Sequence, residues 1–357
     1  MNKKTYSILL LLLISVAFFL HQFGTDAGKV ERVYSRGLYP AVSRGLKLAV
    51  SISPVSVGDI LYGITGLFFI LVFLRFLRAV FTGSLQWSSL VQKIMWMIPF
   101  LLGIYVLFNG LWGFNYNRMG LGAQLGLDTT GITGDEIRQI DSLLLEKVNL
   151  VRGRNDFREA ASARQVFTEA AKAYQKASLR YPFLQNGEPL VRSSIWGIIG
   201  DYAGFMGYYN PFTGEAHVNT RIPCFLMPYT TCHEIAHQSG YAKENEANFA
   251  GYLAASNSDD PFFHYSVYLD LFLYANQDLF LHDSTLARKR ISGLSPPVQH
   301  DLLAWKRYVQ KQDNPVADFV GRFYELYLRN NQQPSGLRTY SEVTRFLIAF
   351  HRKFGSL

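Results

Sequence analysis

Three apolar runs in the first third of the chain constrain it more than any other feature. About 20 consecutive apolar residues in a helix match the hydrocarbon thickness of a bilayer, and such helices rarely sit on the surface of a soluble domain. Transmembrane helices are therefore predicted over residues 6–20, 60–80 and 94–114. The first is an uncharged run of fifteen residues behind Lys3 and Lys4. That pattern also describes a signal peptide, but no small-x-small cleavage site precedes Gly28, so an uncleaved anchor is favoured. In the second, Arg75 and Arg78 sit near one end, where long side chains reach the headgroups. The third has 21 residues without a charge and carries Trp96, Tyr105 and Trp112, types that favour the membrane interface. A multi-pass protein of the cell membrane, with the lipid bilayer as its first partner, is the expectation.

Charge sharpens this division. Residues 1–117 hold ten Lys and Arg against three Asp and Glu, whereas residues 118–357 hold 25 against 24. The basic excess lies beside the apolar runs, where it suits lipid headgroups. A nucleic-acid binder would concentrate it on the folded domain instead, so no nucleic-acid partner is expected. Orientation stays open: Lys3 and Lys4 hold the start inside, while Lys29, Arg32, Arg36, Arg44 and Lys47 favour the same side for the loop after the first span. The two cysteines, Cys224 and Cys232, form no CxxC pair, which leaves out thiolate zinc sites and any disulfide framework.

Beyond residue 117 the apolar spacing is mainly helical. Helices are predicted over 135–150 and 156–179, the second closed by Pro182, and again over 262–281, 298–309, 316–328 and 340–350. Between them, 205–209 and 215–218 flank an Asn210-Pro211-Phe212-Thr213-Gly214 turn and read as a β-hairpin. The fold class expected is thus N-terminal transmembrane helices followed by an α+β, mainly helical domain with a small antiparallel sheet.

The chemistry concentrates at Thr231-Cys232-His233-Glu234-Ile235-Ala236-His237-Gln238-Ser239-Gly240. Two histidines four apart on a helix stack on one face and can point a nitrogen each at one Zn2+, while Glu234 reaches the water at the open coordination position. Pro228 suits the start of that helix and Gly240 its end. A catalytic zinc needs a third protein ligand, and a second helix over 242–256 offers Glu244 or Glu246. Their spacing of two puts them on different faces. Glu244 is favoured because Asn248, four residues on, shares its face and can support a ligand histidine. Metal ligands His233, His237 and Glu244, with Glu234 as the catalytic base, are the expectation. Tyr241, His264, Arg338 and Tyr340 are candidate oxyanion donors among which sequence does not choose. His217, on a strand, reads as a packed or paired histidine, and Cys232 points off the ligand face and reads as packing.

An HExxH pattern followed by Glu244-Asn245-Glu246-Ala247-Asn248 resembles the gluzincin branch of zinc peptidases. Tyr209 through Ala216, His233 through Phe249, Trp112-Gly113-Phe114-Asn115-Tyr116, Arg180-Tyr181-Pro182 and the region of Ser341 resemble the membrane family catalogued as domain-of-unknown-function family 3810, over essentially the whole chain. The resemblance implies a zincin-like domain over 118–357 that hydrolyses a peptide or protein substrate with Zn2+, and a hairpin at 205–218 that holds the peptide as an added strand. Only six residues separate His237 from Glu244, a tighter return than most gluzincins make. The competing expectation is a zinc-binding membrane sensor or scaffold that cuts nothing, in which Glu234 has no task. A transporter fits less well, since no run carries acidic residues suited to an ion pathway.

Overall fold

The apolar runs become three long helices that lack a protein cover, in a computed structural model that describes residues 3–155, 157, 161–185 and 187–357. The helices long and apolar enough to cross a membrane are Lys4–Gly24, Val57–Phe81 and Trp87–Leu111. The chain clusters into two units, residues 3–118 with 211–213, and residues 119–210 with 214–357.

The first unit holds α1 (Lys3–Gly24), α2 (Ala27–Lys29), a π-helical turn over Val30–Leu38, α3 (Tyr39–Ser51), α4 (Val57–Phe81) and α5 (Trp87–Leu111), followed by a 3-10 turn over Gly113–Asn117. Each apolar helix starts before its predicted run, and at the head of α4 the Ser56 side chain accepts from the Asp59 amide and caps it. The third ends earlier than expected, at Leu111, and Phe114 belongs to the 3-10 turn. Residues 27–51, expected as a loop, are helical: Val30, Tyr34, Tyr39 and Val50 are buried, and the cations lie between them. The Tyr34 hydroxyl donates to the Gly110 carbonyl at 3.1 Å, and Arg118 grips buried Glu31 with two bonds of 2.9 Å. Tyr6 donates to the Met95 carbonyl at 2.9 Å, tying α1 to α5.

The second unit starts with α6 (Leu121–Leu125), α7 (Gly134–Arg154) and α8 (Ala163–Arg180). Thr133 with Glu136, and Ser162 with Gln165, form reciprocal capping boxes that fix where α7 and α8 begin. The expected start of the second helix at Asp156 lies outside the described residues; Ala161 and Ser162 are not helical, because Ser162 is the cap. Then come β1 (Val191–Ser193), α9 (Gly197–Ala203), β2 (Gly207–Asn210) and β3 (Glu215–Val218).

The predicted hairpin forms, with Gly207 opposite Val218 and Asn210 opposite Glu215. The sheet is nevertheless mixed, not antiparallel: β1 pairs parallel with β3, Val191 opposite Ala216, giving the order β1-β3-β2. A three-residue strand whose partner lies 25 positions away leaves no alternation to read in sequence. Arg192 on β1 meets the buried carboxylate of Glu215 at 2.9 Å, so the parallel pairing also solves a burial problem for β3.

Helices α10 (Met227–Gln238), α11 (Glu244–Ala255), α12 (Pro261–His282), α13 (Ser284–Ser292), α14 (Pro296–Gln312), α15 (Pro315–Asn330) and α16 (Val343–Phe354) complete the chain. The core gathers around α10, α11 and α12, with Ile235, Phe249, Leu253, Phe263, Leu269 and Phe272 almost fully enclosed. Every residue of α10 is buried. A helix with two histidines, a glutamate and a glutamine at the centre of a core is stable only if those polar groups find partners.

Candidate metal centre

Pro228 stands in the first turn of α10, and Gly240, at a φ of 84°, turns the chain sharply after it. That turn brings the Tyr241 carbonyl back to the Nδ1 of His237 at 2.8 Å. His233, one turn earlier, meets the side-chain oxygen of Asn248 through its own Nδ1 at 2.7 Å. A carbonyl only accepts, so Nδ1 of His237 carries the proton. Asn248 donates its amide to the Tyr340 carbonyl at 3.1 Å, which turns its oxygen toward His233. In its neutral form each imidazole so held offers Nε2 to a metal.

Those two nitrogens converge on one carboxylate. The Oε2 of Glu244 lies 3.2 Å from Nε2 of His233 and 3.4 Å from Nε2 of His237. Ligand atoms of the three residues all lie within 4.8 Å of one another. The imidazoles are edge-on, centroids 4.7 Å apart. Glu244 opens α11, where its amide donates to the side chain of Gln333 at 2.9 Å, and its other oxygen accepts the Tyr324 hydroxyl at 2.6 Å. Its Oε2 is buried, with the two Nε2 atoms as its polar neighbours.

Burial acts to raise the Glu244 pKa, but the two imidazoles outweigh it and hold the carboxyl well below the usual range. For His237 burial acts downward and Glu244 outweighs it, pushing the imidazole up to about 9. A proton thus occupies the space between these groups near neutrality, and a divalent cation bound there would displace it. Two neutral imidazole nitrogens and one carboxylate, oriented by outer partners, are a donor set suited to zinc.

Glu234 stands apart from this set. Its Oε2 is buried without a hydrogen-bond partner among the described residues, and burial pushes its pKa up to about 7 against the pull of the two histidines. Its other oxygen lies against the backbone of β2: a Cβ added to Gly207 would stand 2.6 Å from Oε1 of Glu234 and 2.8 Å from the His217 carbonyl. Only glycine lets strand and carboxylate approach this closely.

The remaining candidates separate cleanly. Tyr340 lies at the centre, its ring stacked on His233 at 6.1 Å and its hydroxyl 3.4 Å from that of Tyr324. The Tyr241 hydroxyl donates instead to the Phe183 carbonyl at 3.0 Å, and only its backbone serves the site. His264 pairs with the Ser258 carbonyl at 2.9 Å, and Arg338 is exposed in the 3-10 turn over Gly336–Tyr340. Glu246 faces Gly120, whose added Cβ would meet its Oε1 at 2.6 Å. His217 is buried and stacks on Tyr208 at 4.6 Å, and Cys232 is fully enclosed. Tyr324, Gln333 and Gly207 escape a reading of the sequence. Tyr324 lies 80 positions from Glu244 and nothing local marks it.

A family model described as protein of unknown function (DUF3810) matches residues 34–348. Neither a curated protein nor a solved structure matches the chain.

Proposed function

We propose that this chain, which belongs to the DUF3810 family, is a multi-pass, membrane-anchored zinc peptidase of the gluzincin type, with a zincin-like domain over residues 118–357. One observation carries the reading. Beside three convergent ligand atoms stands a second acidic side chain, Glu234, buried, without a partner at Oε2 among the described residues, and outside the group of three that could hold a metal. A site built only to hold a metal has no use for it.

His233, His237 and Glu244 would hold zinc, which when bound supplies Lewis acidity to a water and to a substrate carbonyl. Glu234 takes a proton from the attacking water at Oε2 and returns it to the leaving amine. Its pKa near neutrality suits both directions of that transfer. Asn248 and the Tyr241 carbonyl keep each Nδ1 protonated and each Nε2 available. Tyr340, whose ring stacks on His233, is the one of the candidate oxyanion donors whose side chain lies at this site. Gly207 lets β2 approach Glu234, and an extended peptide added to this edge strand would lie next to the base.

The test is a mass-spectrometric search of a peptide library for new termini, comparing the full chain with its Glu234→Gln variant. Cleavage by the wild type alone supports the proposal. Equal cleavage patterns, or none from zinc-loaded wild type, refute it and leave the sensor or scaffold.

A further inference from the structure

Two helices of the second unit leave an apolar stripe in water. On α15, Val316, Phe319, Phe323 and Leu326 recur at spacings of three and four and are 48–71% exposed. Its other side buries Leu328 and sends Tyr324 to Glu244. Ile195, Ile198, Ile199 and Tyr202 repeat the pattern on and just before α9, 53–68% exposed. The two helices adjoin. Asn314, the cap of α15, donates to the Tyr202 carbonyl at 2.9 Å, and a Cβ on Gly204 would lie 4.0 Å from that of Ala317. An amphipathic helix ordinarily turns such a stripe to the core; here the polar-tethered side faces inward and the apolar side outward.

We propose that α9 and α15 form a bilayer-docking face, which lies in the interfacial layer of the membrane that the three apolar helices enter. The proposal rests on those helices being membrane-spanning and is independent of what the metal centre does. Three observations select lipid as the occupant. The stripes mix long aliphatics with phenylalanine and tyrosine, the composition of helices that lie in the headgroup boundary. Exposed cations lie on the same elements: Arg322 on α15, and Lys306, Arg307 and Lys311 on α14, which packs on α9. They outnumber the exposed acids Asp313 and Asp318, while Glu325 is paired with Arg329 at 2.7 Å, so the rim suits anionic headgroups. Finally, a chain held in a bilayer by other helices meets that surface at high effective concentration, so even a modest apolar face stays docked.

The test uses the full chain in vesicles of equimolar phosphatidylcholine and phosphatidylglycerol, in a Cys224→Ser background, where buried Cys232 stays unlabelled. Single Ile198→Cys, Phe319→Cys and Lys289→Cys variants carry an environment-sensitive fluorophore; Lys289 is an exposed position on α13. Blue-shifted emission at 198 and 319 that is quenched by bromine-labelled lipid, with position 289 aqueous and unquenched, is the expected result. Aqueous emission at 198 and 319 overturns the proposal. So does equal quenching at 289, or blue-shifted emission that lipid-borne bromine leaves untouched and that fades as the protein is diluted in lipid, which would assign the face to a second copy.

Discussion

Replacing Asn248 with alanine removes the link between the imidazole of His233, a proposed metal ligand, and the segment that follows α15. The bonds that disappear include one to Nδ1 of His233 at 2.7 Å and one to the Tyr340 carbonyl at 3.1 Å. Each group left behind is poorly reached by water; the His233 side chain is only 11% exposed. An orphaned buried polar group costs about 1–3 kcal/mol. The portion borne by His233 appears as weaker metal binding, because an imidazole with no partner for Nδ1 loses both its orientation and its tautomer preference. Removal of such a partner weakens affinity by about 10–100-fold, or roughly 1.4–2.7 kcal/mol. Competition between the detergent-solubilised full chain and a fluorescent zinc chelator measures the ratio directly. Glu244→Gln, which alters a ligand, should lose more than Asn248→Ala. A zinc affinity unchanged within about twofold in Asn248→Ala would refute the assignment of Asn248 as the group that aims His233.

Other consequences reach further from the metal. Gly207→Ala drives a methyl to within 2.6 Å of Glu234 Oε1, so turnover should fall by about 100-fold while zinc content stays unchanged; undiminished turnover would separate β2 from the proposed base. Asp141 is fully enclosed, and burial pushes its pKa from 3.8 up to about 6 despite Asn276 and Arg290. The folded state therefore holds its proton more tightly than the unfolded chain, and the stability this contributes is full below about pH 4 and lost as pH rises through 6. Asp141→Asn should thus gain up to about 3 kcal/mol over wild type between about pH 4 and pH 7 in thermal unfolding; a constant difference across that window would contradict the sign. Arg118→Ala takes two bonds from the buried Glu31 carboxylate while Arg36 stays beside it at 2.7 Å, and should cost about 1–3 kcal/mol, read as loss of thermal stability in detergent; an unchanged stability would mean that Arg36 alone satisfies Glu31.

What could be read from the sequence was what depends on near neighbours. Long apolar runs betray helices 57–81 and 87–111 because every residue contributes to one signal. The four-residue interval between His233 and His237 fixes their shared face by helix geometry alone, and the same interval ties Glu244 to Asn248. Residues 27–51 were opaque because five cations interrupt the apolar positions, and the burial of Tyr34 and Tyr39 depends on a π-helical turn that no simple period describes. β1 was opaque for another reason: three residues acquire strand character only when β3 lies beside them. Tyr324 and Gln333 reach Glu244 from 80 and 89 positions away, so their part in the site is a property of packing, absent from any local pattern.

Metal stoichiometry tests the central assignment most directly. Elemental analysis of the purified full chain, beside His233→Ala and Glu234→Gln, separates holding a metal from using it. The account predicts roughly one zinc per chain in the wild type and in Glu234→Gln, and its loss in His233→Ala. A folded wild-type chain that binds no zinc when supplied with it, or His233→Ala retaining zinc in full, would contradict the account.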